Sequence, residues 1–352
     1  MKRLLVGCVL ALVAVFAPAV LLSVTGCGGA DSSSPPTTVS RTEVRADNGL
    51  IAFVHGDGGL GDISVVSPDG SGRAALVNGG ADELYPAWSP DGTKLAYTTD
   101  ETGSSVFSHG DIVIVDADGS NSVNVTDRSD AVPETDDWDP SWAPDGRQLA
   151  YMGTVAPDTF ESENEELPDL YVVNIDGSDR RNITSTPDVF EVAPEWSPGG
   201  SEIAFISGDN TGQSLHLSVI NVDGSNPREL TDVRWGPMRG TNGFLLWIYG
   251  LSWSPDGSQI AFSDSVSDDG DTWNVHVFVI NADGTGRRDL TAGQPRSSLD
   301  PEWSPDGRQI AFVTDRDDDE ALYIMDADGS NPQRITGSNS RLGFPDWQPI
   351  PR

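Results

Sequence analysis

The chain has 352 residues, among them 38 glycines, 24 prolines and 10 tryptophans, a composition that favours many short strands and tight turns over long helices. Its 55 acidic and 21 basic side chains give a formal net charge of −34, which repels nucleic-acid phosphates and anionic membrane surfaces and argues against nucleic acid as a partner. Regularly spaced Trp, Ile and Val accompany the acids, so the charge reads as a solvated surface around a buried core, not as disorder.

At the N-terminus, Lys2 and Arg3 precede an apolar run from Leu4 to Val24, the basic flank and hydrophobic centre of a signal peptide. The run is also long enough to be weighed as a membrane-spanning helix. Val24-Thr25-Gly26-Cys27 resembles the lipobox of bacterial lipoproteins, whose cysteine is acylated and becomes the mature N-terminus. That resemblance implies a signal peptide over residues 1–26, lipidation of Cys27 and an extracytoplasmic protein held to a bacterial membrane by lipid alone. The other cysteine, Cys8, lies in the segment to be removed, so no disulfide is expected and stability must come from the core. Residues 27–48 are small, polar and proline-containing, and read as a flexible tether.

Residues 49–352 read as one domain made of repeats. A Trp followed by a turn appears at Trp88-Ser-Pro-Asp-Gly92, Trp142-Ala-Pro-Asp-Gly146, Trp196-Ser-Pro-Gly-Gly200, Trp253-Ser-Pro-Asp-Gly257 and Trp303-Ser-Pro-Asp-Gly307, and Trp347 is followed by Gln348 and Pro349. A short apolar strand with a small centre comes next, as in Ile51-Ala-Phe53, Leu95-Ala-Tyr97, Leu149-Ala-Tyr151, Ile203-Ala-Phe205, Ile260-Ala-Phe262 and Ile310-Ala-Phe312. A β-rich run then ends in Asp-Gly at Asp69, Asp118, Asp176, Asp223, Asp283 and Asp328. Proline presets φ in such turns, Asp bonds back to nearby backbone and Gly accepts positive φ, so each copy reads as two hairpins and therefore four strands.

The tryptophans recur roughly every fifty residues, close to the length of a four-stranded propeller blade. The N-terminal copy lacks the Trp strand and the C-terminal copy, Gly343 to Trp347, consists of it alone. Adding one to the other predicts an all-β, six-bladed β-propeller of four antiparallel strands per blade, its ring closed by the Trp347 strand and its edges thereby removed. These repeats resemble the TolB-like propellers, with their WD40-like PD40 repeats. The chain departs from TolB proper in having only the tether before residue 49, and the Pal-binding role of that protein is not carried over.

One Trp per blade at one strand position predicts packing between blades rather than a binding platform. The Asp-x-Asp-Gly-Ser-Asn stretches at Asp116 to Asn121 and Asp326 to Asn331 lack the terminal glutamate of a calcium loop and read as hairpin turns. Five acids just before the tryptophans, Asp139, Glu195, Asp300, Glu302 and Asp346, are the candidate binding face. In the resembled family this strand is innermost, so residues at its start are expected around one mouth of the channel. Asp139, Asp300 and Asp346 are the candidates for a Ca2+ site, no other cofactor being expected, and a hydrated acidic vestibule is the competing reading. Insertions expected on the same face are Thr154 to Pro168, Ser265 to Trp273 with Asp268, Asp269 and Asp271, and Val233 to Gly250. The last carries Trp235, Phe244, Trp247 and Tyr249, an aromatic run that serves either as strand core or as a partner-binding edge.

The sequence therefore supports a monomeric, non-enzymatic lipoprotein of the cell envelope that binds a protein, peptide or glycan. Its competitor is a Ca2+-dependent hydrolase or lyase at the channel mouth, using the same carboxylates with His55 or His109 as base or ligand. No Gly-x-Ser-x-Gly elbow is present and the chain ends soon after the ring closes, which sets aside a serine-peptidase reading. The sequons at Asn124 and Asn182 fall where strands are expected and carry no weight.

Overall fold

The computed structural model describes residues 48–56, 61–100, 110–126, 135–155, 167–209, 214–234, 250–267, 273–337 and 341–349. The signal peptide, Cys27, the tether, His109, Trp235, Phe244, Trp247, Tyr249, Asp268, Asp269, Asp271 and most of the 154–168 insertion lie outside the described residues. Among the described residues there is no helix, hence none long and apolar enough to cross a membrane.

Twenty-four strands form six four-stranded antiparallel sheets. Blade I holds β1 (Ile51–Gly56), β2 (Asp62–Val66) and β3 (Ala74–Val77), and blade II β4 (Asp82–Trp88), β5 (Lys94–Asp100), β6 (Gly110–Asp116) and β7 (Val123–Asn124). Blade III holds β8 (Thr135–Trp142), β9 (Gln148–Val155), β10 (Asp169–Asn174) and β11 (Arg181–Asn182), and blade IV β12 (Val189–Trp196), β13 (Glu202–Asp209), β14 (Leu215–Asn221) and β15 (Arg228–Val233). Blade V holds β16 (Leu251–Trp253), β17 (Gln259–Val266), β18 (Asn274–Asn281) and β19 (Arg288–Asp289), and blade VI β20 (Ser298–Trp303), β21 (Gln309–Thr314), β22 (Ala321–Asp326) and β23 (Gln333–Arg334). The last strand, β24 (Arg341–Trp347), pairs with β1, Trp347 lying opposite Ile51, and completes blade I.

The turn chemistry is local. In Trp88-Ser-Pro-Asp-Gly92 the Ser89 hydroxyl donates to Asp91 Oδ1 at 2.7 Å and the Gly92 amide to the Ser89 carbonyl at 2.7 Å, with Gly92 at φ +65° where a side chain is strained. In each Asp-Gly turn the Asp accepts from the amide two residues on, as Asp118 does from Ser120 at 3.0 Å and Asp328 from Ser330 at 2.9 Å. The calcium-loop likeness is thus accounted for by hairpins whose carboxylates are already occupied. A threonine after each short fourth strand extends the ladder: the amides of Ile112, Leu170, Val277 and Leu322 donate to Thr126, Thr184, Thr291 and Thr336 at 2.9–3.1 Å. Thr126 and Thr184 belong to the two sequons, whose asparagines bind Asp111 and Asp169.

The core lies between blades, as six apolar clusters, each containing one of the repeated tryptophans. Each also contains the central alanine of the preceding blade's second strand: Ala52 with Trp88, Ala96 with Trp142, Ala150 with Trp196, Ala204 with Trp253, Ala261 with Trp303 and Ala311 with Trp347. The small residue in Ile-Ala-Phe is therefore the seat of the next blade's indole. Each inner strand touches the next around the ring, β24 to β4, β8, β12, β16, β20 and back to β24. That continuous ring of strand edges bounds a central channel.

Candidate functional site in the central channel

Most inner strands share one irregularity. A register shift falls between Leu84 and Ala87, Trp138 and Ser141, Val192 and Glu195, and Leu299 and Glu302, and again in the β1–β24 pair, the mark of a β-bulge. The residue three before Trp takes positive φ in each: Tyr85 52°, Asp139 59°, Ala193 52°, Asp300 51° and Phe344 52°. Gly250 holds that place in blade V. Non-glycine residues adopt this conformation at a cost of order 1–3 kcal/mol each, and such strain concentrates at functional sites.

The bulge divides the five candidate acids between two levels. Asp139 and Asp300 stand at the bulge, whereas Glu195, Glu302 and Asp346 stand immediately before their tryptophans. The expectation that all five cluster at the strand start needs correction. The strands begin as many as seven residues before Trp, so these acids lie inside the strands, one to three residues before Trp, and line the channel rather than its mouth.

Both levels are hostile to charge. Asp300 is 4% exposed, while the other four keep partial access to channel water and are walled in by protein. Burial pushes the Asp139 carboxyl up to about 7, with Asp300 on the opposite blade adding to the effect. Asp300 is also raised to about 7 by burial, against a lowering hydrogen bond from the Phe344 amide. At the second level burial raises Asp346 to about 7 and holds Glu195 and Glu302 well above the carboxylate range, each pushed further by Asp346. Yet no three His, Cys, Asp or Glu side chains among the described residues are grouped so as to hold a metal, Asp139, Asp300 and Asp346 included. Of the histidines, His55 lies within β1 near Ser64 Oγ, 3.2 Å away, and His216 and His276 lie on third strands.

The second level also ties blades together, in alternation. Side chains of blades III and V accept backbone amides of the next blade, Trp196 to Ser141 at 2.9 Å and Trp303 to Ser252 at 3.0 Å, and Asp346 of blade I accepts the Trp88 amide. The other three tryptophans use their indoles, Trp142 to the Ala87 carbonyl at 2.9 Å, Trp253 to that of Glu195 at 3.2 Å and Trp347 to that of Glu302 at 3.2 Å. The indole nitrogens of Trp88, Trp196 and Trp303 have no hydrogen-bond partner among the described residues. The ring is chemically a threefold repeat of blade pairs.

Further acids emerge five residues before Trp, at Glu83, Asp137 and Glu191 of three successive blades. Asp137, wholly buried, is held by Arg180 at 2.9 and 3.2 Å, with the guanidinium lying over the Tyr171 ring at 4.5 Å and Tyr151 at 5.4 Å. Among the described residues Glu83 and Glu191 have no ion-paired cation, and each has one oxygen without a hydrogen bond. Burial lifts them to about 7 and about 8. Aligning the six copies on Trp would have exposed this position and the Tyr85–Phe344 level, both passed over in the reading of the sequence.

Residues 248–350 match the family model described as the TolB beta propeller domain. Over that stretch the chain is similar to the TolB-like propellers, and its fold is the six-bladed β-propeller described above. A protein TolB homolog of Chlorobium luteolum (strain DSM 273 / BCRC 81028 / 2530) is 30% identical over 159 residues, which cover 45% of this chain and 31% of that relative. An uncharacterized peptidase of Bacillus subtilis (strain 168), YuxL, is 35% identical over 134 residues, 37% of this chain and 17% of the relative. The matches thus span less than a third of these relatives' lengths, too little to carry over an activity. Solved structures agree in fold: TolB from Acinetobacter baumannii superposes with a TM-score of 0.63 at 20% identity, covering 86% of this chain and 67% of that one. The putative TolB from Agrobacterium tumefaciens does so at 0.57 and 18% identity, covering 82% and 88%.

Proposed function

We propose that this TolB-like propeller is a non-enzymatic binding protein of the bacterial cell envelope, tethered through an acylated Cys27. It engages a protein, peptide or glycan with the channel-mouth face of its ring. The carrying observation is the two-level set of channel carboxylates, none of which is ion-paired to a basic side chain among the described residues. Buried acids without a basic partner on a rigid frame form a preorganised receptor that a cationic or hydrogen-bond-donating group of a partner completes. The family match and the TolB homologues support binding as the role, and the aromatic insertion Val233 to Gly250, most of which lies outside the described residues, is a further candidate for partner contact on that reading.

The test is chemical cross-linking of the full chain in its own membrane preparation, followed by mapping of the linked peptides. Links concentrated on the loops joining second and third strands, at residues such as Asp317 and Asp318, support the reading. Links confined to the Asp-Gly turns of the opposite face overturn it. Globomycin-sensitive processing to a chain beginning at Cys27 is expected in parallel.

A further inference from the structure

The six residues at the bulge level are Tyr85, Asp139, Ala193, Gly250, Asp300 and Phe344, so one turn of the channel carries two aromatic rings, two acids and two residues of minimal size. Tyr85 and Phe344 sit on adjoining blades with ring centroids 4.2 Å apart and planes tilted by 42°. The Asp300 carboxylate lies at the foot of Phe344, whose amide donates to Oδ2 at 3.2 Å. Its other oxygen, Oδ1, is buried and has no hydrogen-bond partner among the described residues. Asp300 raises both Asp139 and Tyr85, which belong to blades on other sides of the ring, so the bulge-level groups share one electrostatic environment. The Asp139 carboxylate has no hydrogen bond or ion pair among the described residues.

A buried carboxylate with one oxygen unsatisfied is a costly arrangement that a bound cation relieves. Two acids without a third ligand suit a bare divalent metal poorly, since Ca2+ takes six to eight oxygens, and no metal-sized group is present among the described residues. An organic cation differs: it gains from aromatic faces through cation–π attraction and needs one or two carboxylates, not a cage. We infer that the bulge level of the channel is a binding site for an alkylammonium or guanidinium group, seated between the Tyr85–Phe344 pair and the carboxylates of Asp300 and Asp139. The site goes beyond the partner-binding reading, because a small probe tests it with no partner present.

The experiment is calorimetric titration of the full chain in detergent at pH 8 with butylammonium chloride and, separately, with the peptide acetyl-Gly-Lys-Gly-amide. Butanol and NaCl of equal ionic strength are the controls. Saturable butylammonium binding, weakened at least tenfold by Asp300→Asn, is expected. The asparagine still accepts the Phe344 amide, and a superimposable thermal transition checks its folding. Phe344→Leu, which keeps the acid and removes the ring, is expected to weaken binding at least threefold while leaving the response to NaCl unchanged. Tighter binding of the peptide than of butylammonium identifies a lysine of a polypeptide as the source, and the reverse order a free amine. Butylammonium heats equal to those of NaCl, or equal in native protein and both variants, overturn the assignment, whatever the cross-linking shows about a partner.

Discussion

The backbone amide of Trp88 donates to the carboxylate of Asp346, joining blade II to the strand that completes blade I. Ser141 and Ser252 do the same for Trp196 and Trp303. Asp346→Ala therefore strands a buried donor and is expected to destabilise the domain by about 1–3 kcal/mol. Asp346→Ser, which copies the serine of the equivalent blades, is expected to recover most of that loss in urea unfolding.

Ala204 sits in the same apolar cluster as Trp253, at 0% and 6% exposure. Enlarging the seat by Ala204→Leu drives the indole out of place, at an expected cost of about 1–3 kcal/mol. Removing the plug by Trp253→Ala is expected to cost about 3–5 kcal/mol. Equal urea midpoints for Ala204→Leu and the native domain would show that the alanines make no room for the tryptophans.

Arg180 holds Asp137 at a site where both are almost fully covered. Arg180→Ala leaves a buried carboxylate without its cation and is expected to cost about 3–5 kcal/mol. The double replacement Arg180→Met with Asp137→Leu removes both charges and is expected to recover most of it, as a double-mutant cycle by thermal unfolding will show.

Two populations of carboxyl groups respond to pH in opposite ways. The turn aspartates Asp69, Asp118, Asp176, Asp223, Asp283 and Asp328 are held below the usual range by their own loops, so their contribution is present above about pH 4 and lost below it. Glu83, Asp139, Asp300 and Asp346 at about 7 and Glu191 at about 8 are raised. Between pH 4 and 8 the folded state then binds more protons than the unfolded chain, and stability falls as pH rises through that window. The midpoint of thermal unfolding is expected to peak near pH 4–5 and decline to pH 8, with Glu191→Gln flattening the upper limb. A plateau from pH 5 to 8 would contradict this.

Calcium is expected to do little. A Ca2+ site saturated a hundredfold adds about 2.7 kcal/mol to stability, but the channel acids form no three-ligand group among the described residues. Thermal midpoints in calcium and after chelation are expected to coincide, and a rise with calcium would restore the metal-dependent alternative.

The fold was legible because its signals are local and repeated: a proline-glycine turn after Trp, present five times, and an Ala-centred strand and an Asp-Gly hairpin, each present six times. Even the interblade role of Trp follows from its recurrence. The channel was legible only in part. Tyr, Asp, Ala and Phe at φ near 50° carry no turn signature, since glycine or asparagine is the usual occupant of such backbone, so the bulge that sorts the acids into two levels is invisible in the sequence. Nor does spacing reveal that Arg180 reaches Asp137 in another hairpin, or that Phe344 comes to rest on Tyr85 from the far end of the chain. Those partnerships exist only once the ring is built.

Strand β1 has two edges, one served at once by β2 and the other only by β24. During synthesis the first blade must therefore wait, with an open edge, until β24, almost three hundred residues later, has been made. Pairing across such a separation is slow, and an unpaired edge invites association with other chains. The same seam means that closure of the ring is withheld until β24 is available to β1, although the other blades pair within themselves.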